Sequence, residues 1–529
     1  MSNFRSGFQT RLEILIKCIS FGIIWLHSTT VESAWIHPHY LPLGHRTLNL
    51  GRPLLNATVL PKDESGRANE GDGKEALENS RRSILGDFGC EAGPCSVGAG
   101  REHTCVVDTD LNVRCFGRAD RGQLGYENTR AIGRTEIGNP MPPPGTLILG
   151  LQVMQIDAGG SHTCVVTTSK SVRCWGAGSS GQLGYGNSHD VGASGGTMPP
   201  ADVSIGGVAA RQVAAGESHT CVLLESDVVR CWGENDFGQL GYGHKKTIGD
   251  EFWEMPPVDV DVGAAVVQIS AGTHHTCAIT VLGGVVCWGD ATFGQVGPTY
   301  DFTTTDGAAV GDEPGEMPPA PLHLGEGQPL QVSAGGNHTC VIMYRFHYDR
   351  YQNTVQCFGR NQYGQLGTGT NENIGDDWGE MPPMVVLADA SQVLAAPYKT
   401  CAIRGGGHEG DMLCWGLGAW HQLGDGSAWG LIEPEVYPTY FNLYTPPDKA
   451  VDLGGHPVEI AGGMSHTCAV LHEDHSLRCF GRNTFGQVGY DWVDYSIGHE
   501  VDMPVPAVNI DSSVLGTSVP CHEELCSSQ

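Results

Sequence analysis

At 529 residues the chain has room for several domains, but 30 Lys and Arg against 59 Asp and Glu give it a net charge of −29. A field of that sign repels phosphate backbones; it excludes nucleic acid and anionic membrane as main partners and favours basic proteins or cations. With 75 glycines, 17% charged and 40% hydrophobic residues, the composition suits tight turns between short buried strands and excludes disorder and collagen.

Residues 1–33 read as a signal peptide: Arg5, Arg11 and Lys17 precede the apolar run Ile19 to Leu26, and Val31-Glu32-Ser33-Ala34 supplies a cleavage site near Ser33. The run falls short of the roughly 20 residues that span a bilayer, so cleavage leaves no membrane insertion; an uncleaved anchor is the other reading. Residues 34–85 mix Pro, Gly, Asn and both charge signs without periodicity, as a disordered linker or pro-segment does. Arg81-Arg82 is a processing site or an ordinary linker pair.

From about residue 95 one phrase recurs seven times with small departures: Gly-x-x-His-Thr-Cys, then Cys-Trp-Gly or Cys-Phe-Gly, then Gly-Gln-Leu-Gly. Its first cysteine falls at Cys105, Cys164, Cys221, Cys277, Cys340, Cys401 and Cys468. A period of 56 to 67 residues marks units too small to bury their own apolar faces, which share a core with their neighbours. Within one unit Val258 to Val262 alternates as a half-buried strand does. Val266 to Ser270, His275 to Thr280 and Val285 to Trp288 supply three more runs, with a turn at Leu282-Gly283-Gly284. The pattern predicts an all-β fold over 86–515: a seven-bladed β-propeller of four-stranded antiparallel blades. The first unit starts late, at Cys95-Ser96-Val97. The segment after Met503-Pro504, Val505 to Ile510, is therefore expected to complete blade one and close the ring, removing two sheet edges. Residues 516–529 form a C-terminal tail.

These phrases resemble the regulator of chromosome condensation repeat family over about four-fifths of the chain. The likeness rests on Gly-x-x-His-Thr, on the aromatic-Gly pairs Phe116-Gly117, Trp175-Gly176, Trp232-Gly233, Trp288-Gly289, Phe358-Gly359, Trp415-Gly416 and Phe480-Gly481, and on Gly-Gln-Leu-Gly at Gly122 to Gly125 and Gly181 to Gly184. The sixth unit departs most, with Ala396 for Gly, Lys399 for His and His421 for Gly. The resemblance implies a propeller that binds proteins. Relatives exchange guanine nucleotides on a small GTPase while holding chromatin, inhibit enzymes, or sense ultraviolet light through tryptophans.

Fourteen of the 19 cysteines form seven pairs: Cys105 with Cys115, Cys164 with Cys174, Cys221 with Cys231, Cys277 with Cys287, Cys340 with Cys357, Cys401 with Cys414, and Cys468 with Cys479. Both members persist while the separation grows from 10 to 17, as expected of residues opposed across two strands within disulfide range. Each bridge of this loop size stabilises by roughly 3 kcal/mol in the chain-entropy model. Buried free thiols are one rival reading. His-Cys-Cys zinc sites are another, disfavoured because no Cys-x-x-Cys occurs and Lys399 replaces one His. Seven disulfides require an oxidising compartment, in agreement with the signal peptide. Cys90, Cys95, Cys521 and Cys526 flank the expected closure and are candidates to staple it.

The repeat histidines His103, His162, His219, His275, His338 and His466 read as structural residues satisfying buried backbone groups. Three loops before Met-Pro-Pro carry carboxylates, namely Asp250, Glu251 and Glu254; Asp312, Glu313 and Glu316; Asp376, Asp377 and Glu380. They form an acidic binding face for a basic partner, a calcium site, or solvated turns. Asp108, Asp110 and Asn112 have calcium-loop spacing, but Val113 stands where Gly is needed. Loop aromatics Phe252, Trp253, Trp378, Trp420 and Trp429 are candidate anchors for a protein ligand or packing residues between blades. Asn56 and Asn337 are glycosylation acceptors by pattern. No phosphate loop, zinc-protease helix or nucleophile elbow occurs, so no catalytic residue, cofactor or metal is expected. The sequence predicts a secreted or lumenal, non-enzymatic scaffold that presents a propeller face to a protein partner. The alternative is a guanine-nucleotide exchange factor like intracellular relatives.

Overall fold

Seven times the chain lays down three consecutive antiparallel strands, which we call inner, middle and third, and each set forms a separate sheet. The first blade is Ser96–Ala99, His103–Val107 and Val113–Gly117; the fourth is Val266–Ala271, His275–Thr280 and Val285–Asp290. The structure is a computed structural model that describes residues 96–510, short internal stretches such as 299–308 and 427–441 excepted. The chain divides into two units, Met1–Ala68 and Asn69–Gln529. The first unit lies outside the described residues, as do the expected signal peptide, the linker with Asn56, the C-terminal tail, and Cys90, Cys95, Cys521 and Cys526.

Each inner strand packs against the inner strand of the next blade, and the seventh, Pro457–Gly462, packs against the first, Ser96–Ala99. The middle strands are buried at every position of His162–Thr167, His219–Leu224, His275–Thr280 and His466–Leu471. Neighbouring blades cover both of their faces, so β-branched residues run on without polar alternation. In every blade the two cysteines face each other directly across the middle and third strands. Their sulfurs are bonded, with Cα atoms 4.1 to 4.2 Å apart, the spacing of the closer pair type in an antiparallel ladder. The fifth hairpin extends to ten residues per strand, His338–His347 and Arg350–Gly359, and still keeps the Cys340 and Cys357 register.

The outer edge of each blade corrects the expected phase of the repeat. Val260 N donates to Val229 O at 2.8 Å, so Val258 to Val262 lies along the third strand of the preceding hairpin instead of opening a new blade. The same bond joins Leu147 to Val113, Val203 to Val172, Leu322 to Val285 and Val451 to Met412. At the C-terminus Val508 N reaches Leu477 O at 2.8 Å. Val505 to Ile510 therefore completes the seventh blade and lends no strand to the first. The physical reason is local: after the Met-Pro turn, the unpaired edge of the chain's own third strand is the nearest ladder to join. The segment still seals the junction, since Val505 and Val508 share a buried cluster with Phe116 of the first blade.

What joins blade to blade is a repeated polar relay. The Gln123 carbonyl of the first blade accepts the Thr163 hydroxyl at 3.1 Å and the Trp175 indole N–H at 3.0 Å, both from the second blade. The carbonyls of Gln182, Gln239 and Gln365 receive the same pair of bonds from Thr220 and Trp232, Thr276 and Trp288, and Thr400 and Trp415. Because each threonine has spent its one hydrogen, it accepts from the histidine Nε2–H of the preceding blade, at 2.8 to 3.0 Å. The seventh blade meets the first through the same histidine, threonine and carbonyl, with Phe116 in place of the tryptophan: His466 Nε2 lies 2.9 Å from Thr104 Oγ1, which donates to Gln487 O at 2.8 Å. Four tryptophans at these seams are fully buried; at about 25 cal/mol per Å² an indole of roughly 200 Å² contributes ~5 kcal/mol.

The relay also explains the phrase Gly-x-x-His. A Cβ on Gly216 would stand 2.2 Å from His219 Cε1 and 2.5 Å from Gly272 O. Only the sixth blade replaces the histidine, by Lys399, and only there does alanine, Ala396, replace the glycine. Lys399 is fully buried and its Nζ donates to Gly463 O and His466 O at 2.8 and 2.9 Å, bonding to the seventh blade's backbone in place of a threonine. Burial pushes its amine down to about 7. Gly216→Ala is therefore expected to destabilise by about 2 kcal/mol or more, and Ala396→Gly by about 1 kcal/mol or less. Equal losses in chemical denaturation would contradict this account of the glycine.

Candidate functional site

The turns between inner and middle strands converge on one end of the central channel, where a cavity of about 300 Å³ is walled by backbone from all seven blades. Glycine and alanine dominate this wall, so the few long side chains at the mouth stand out. Arg101 of the first blade reaches past Gly160 of the second to Glu217 of the third, at 2.7 Å. A Cβ on Gly160 would lie 2.6 Å from Glu217 Cδ, so the missing side chain gives the glutamate its place. Arg101 Nε also lies 3.4 Å from Met464 Sδ of the seventh blade.

Beside Glu217 stand Glu234, Asp236 and the ring of His274, whose Nδ1 is 3.8 Å from Glu234 Oε2. Burial raises the Glu234 carboxyl above its usual range; His274 offsets this, and the charges of Asp236 and Glu217 add to it. Phe237, 36% exposed, packs its ring 4.9 Å from that of His274. The later blades carry an aromatic at the same position, two before the turn glutamine: Phe293, Tyr363, Trp420 and Phe485. Arg360, Arg482 and Arg118 lie over the rings of Phe293, Trp420 and Phe485 at 4.8, 4.8 and 5.0 Å. The mouth thus gathers Glu217, Glu234 and Asp236 at the third blade, against His274 of the fourth, while beside the closing seam Arg118 and Arg482 pair with Glu102 and Asp120.

The three acidic loops do not form one uniform carboxylate face. Glu316 Oε2 accepts the backbone N–H groups of Gly311, Asp312 and Glu313 at 2.8 to 3.0 Å. Glu254 does the same for Gly249 and Glu251, and Glu380 for Gly375 and Asp377. These glutamates staple their own loops. Lys246 pairs with Glu254 at 2.6 Å, Lys245 with Asp312 at 2.8 Å, and Asn373 donates to Asp376. Asp250 is half-buried, while Glu251, Glu313 and Asp377 are exposed. The loops lie over the Gly-Gln turns of the preceding blade: a Cβ on Gly181 would stand 2.5 Å from Asp250 N, and one on Gly238 2.4 Å from Asp312 N.

The repeat histidines reach the backbone through a threonine hydroxyl instead of bonding it directly. Burial takes His103, His219, His275 and His338 down to about 3 and His162 to about 4, so they are neutral. With the cysteines bonded to one another, the zinc reading has no ligands. Among the described residues no three His, Cys, Asp or Glu side chains group as a metal site, and no helix is long and apolar enough to cross a membrane. Asn337 is half-buried at the channel mouth. Phe252 and Trp253 form a short 3-10 turn and are 82% and 75% exposed, so they do not serve as packing between blades; Trp378 and Trp429 lie outside the described residues. Sequence reasoning missed Arg101, Glu217, Glu234 and His274, each of which sits next to a repeat residue but gains its partners only when the first, third and fourth blades are brought together.

The model of the RCC1-like domain matches residues 66–451, and that of the regulator of chromosome condensation (RCC1) repeat matches 458–487. The chain belongs to the RCC1-like family. The ultraviolet-B receptor UVR8 of Arabidopsis thaliana is 26% identical over 430 residues, 80% of this chain and 83% of the receptor. The E3 ubiquitin-protein ligase HERC2 of Homo sapiens is 26% identical over 282 residues, 53% of this chain but 5% of the ligase. Among solved structures, Prp20p of Saccharomyces cerevisiae has a TM-score of 0.55 at 17% identity, covering 83% of this chain and 90% of its own. Human WBSCR16 has 0.52 at 21%, covering 72% and 86%. These likenesses show the fold.

The loop geometry separates staple from surface. Glu316→Ala is expected to lower stability by about 1 to 2 kcal/mol, whereas Glu313→Ala stays within about 0.5 kcal/mol. Thermal unfolding of the two variants that gave equal shifts would return Glu316 to the surface.

Proposed function

We propose that the protein is a secreted or lumenal, non-enzymatic scaffold that takes a basic segment of a protein partner at the channel mouth, against the third and fourth blades. The observation that carries this reading is the gathering of Glu217, Glu234 and Asp236 beside exposed Phe237, in a molecule of net charge −29. A cationic side chain entering there offsets the burial that chiefly raises Glu234 and the like charges that add to it, and the phenylalanine supplies apolar contact. Seven cysteine pairs at bonding distance support an oxidising compartment. An exchange-factor role draws support from the Prp20p fold, a protein studied for binding to Gsp1p and histones; it needs a reducing compartment, and the seven pairs weigh against that.

The test is capture of a partner from extracellular fluid on immobilised protein. The reading expects capture to fall at least tenfold with Glu234→Lys plus Asp236→Lys, and to persist with Asp227→Lys on the opposite hairpin tips. Equal capture by both variants would remove the mouth from the account. Non-reducing peptide mapping that found free thiols in the seven pairs would remove the compartment.

A further inference from the structure

Along the channel wall, glutamines from five successive inner strands tie one blade to the next. Val213 N donates to Gln155 Oε1, Ile269 N to Gln212, Val332 N to Gln268, Val393 N to Gln331 and Ile460 N to Gln392, at 2.8 to 3.1 Å. Gln155 and Gln212 also return a bond, from Nε2 to Val213 O and Ile269 O, both at 2.9 Å. At the closing seam the same position is Glu459, whose Oε1 accepts Val97 N at 3.1 Å and the Ser96 hydroxyl at 3.4 Å. The repeat places the Val97 carbonyl where Val213 O and Ile269 O stand. A carboxylate accepts only, whereas a carboxylic acid both accepts and donates, as the glutamines do.

We propose that the seam joining the seventh blade to the first is a proton-operated latch: Glu459 holds it in glutamine-like fashion when protonated and loosens it when ionised. Burial pushes this carboxyl up to about 7, against the opposing effect of its bonds from Val97 and Ser96. Among the described residues the surroundings hold little charge. Ser96–Ala99 and the sixth inner strand, Ala390–Ala396, carry no titratable side chain. The middle strand behind Glu459 carries only His466, neutral and at the opposite end of the register, where Lys399 also lies. On the far side of the first blade, Asp157 faces the third, accepting from Ala158 N and Ala215 N.

The sign follows from linkage. A carboxyl raised in the folded state favours closure fully below its unfolded value of 4.5, and that contribution is lost as pH rises through about 7. Hydrogen exchange of the intact protein reads this directly, with the Val332 amide, bonded to Gln268 Oε1 between inner strands that carry no titratable side chain, as an internal reference for the chemical rate. Protection of Val97 relative to Val332 is expected to fall about tenfold or more between pH 5 and pH 8, and to stay level in Glu459→Gln. A ratio that does not change with pH in the unaltered chain overturns the proposal. So does a Glu459→Gln protein that shows the same fall. The ratio in the unaltered chain decides the matter even where the variant fails to fold.

Discussion

The carbonyl of the glutamine in each Gly-Gln-Leu-Gly turn is bonded by the blade that follows, and the rest of the molecule depends on that bond. A blade alone is a small sheet with two apolar faces and a buried polar atom left open; neither can be satisfied except by a neighbour. The threonine that takes the carbonyl also fixes the histidine tautomer, and the histidine forces glycine three positions before it. Composition, turn chemistry and ring geometry are thus one constraint repeated around the axis. The disulfides act inside each blade and hold its middle and third strands in register, while the relay acts between blades.

Much of this was legible in the residues. Cysteines that stay paired while the loop between them lengthens from 10 to 17 positions are facing positions on two strands, and the structure places them so. The aromatic-Gly phrase carried the family resemblance, and its rings are buried at the seams. The phase of the repeat was not legible. Val258 to Val262 reads as a strand from its alternation, but nothing in it says whether it joins the hairpin before or the blade after, since both offer an edge. Val505 to Ile510 went to the wrong blade for that reason.

The acidic face shows a second limit. Asp, Glu and Glu in a loop look alike in sequence, yet Glu316 accepts three backbone N–H groups while Glu313 is exposed. Residue type fixed the charge but not which way it turned. The channel mouth was harder still: Arg101 and Glu217 meet 116 positions apart, Glu217 and Glu234 flank the two ends of the third blade's hairpin, and His274 comes from the fourth blade. A site assembled across blades leaves no local motif. The irregular sixth blade, by contrast, was visible from the start, and loss of the imidazole makes room for Ala396.

The central claim is a ring whose last blade grips its first through the same relay as the others. His466 and Thr104 are 362 positions apart and meet only in the closed ring. A double-mutant cycle with His466→Leu and Thr104→Val, read by chemical denaturation, tests that contact most directly. The account predicts a coupling of about 1 kcal/mol, matched by the pair His219 and Thr276 within the ring. Additive losses at His466 and Thr104, with coupling kept at His219 and Thr276, would mean the ring does not close in this way.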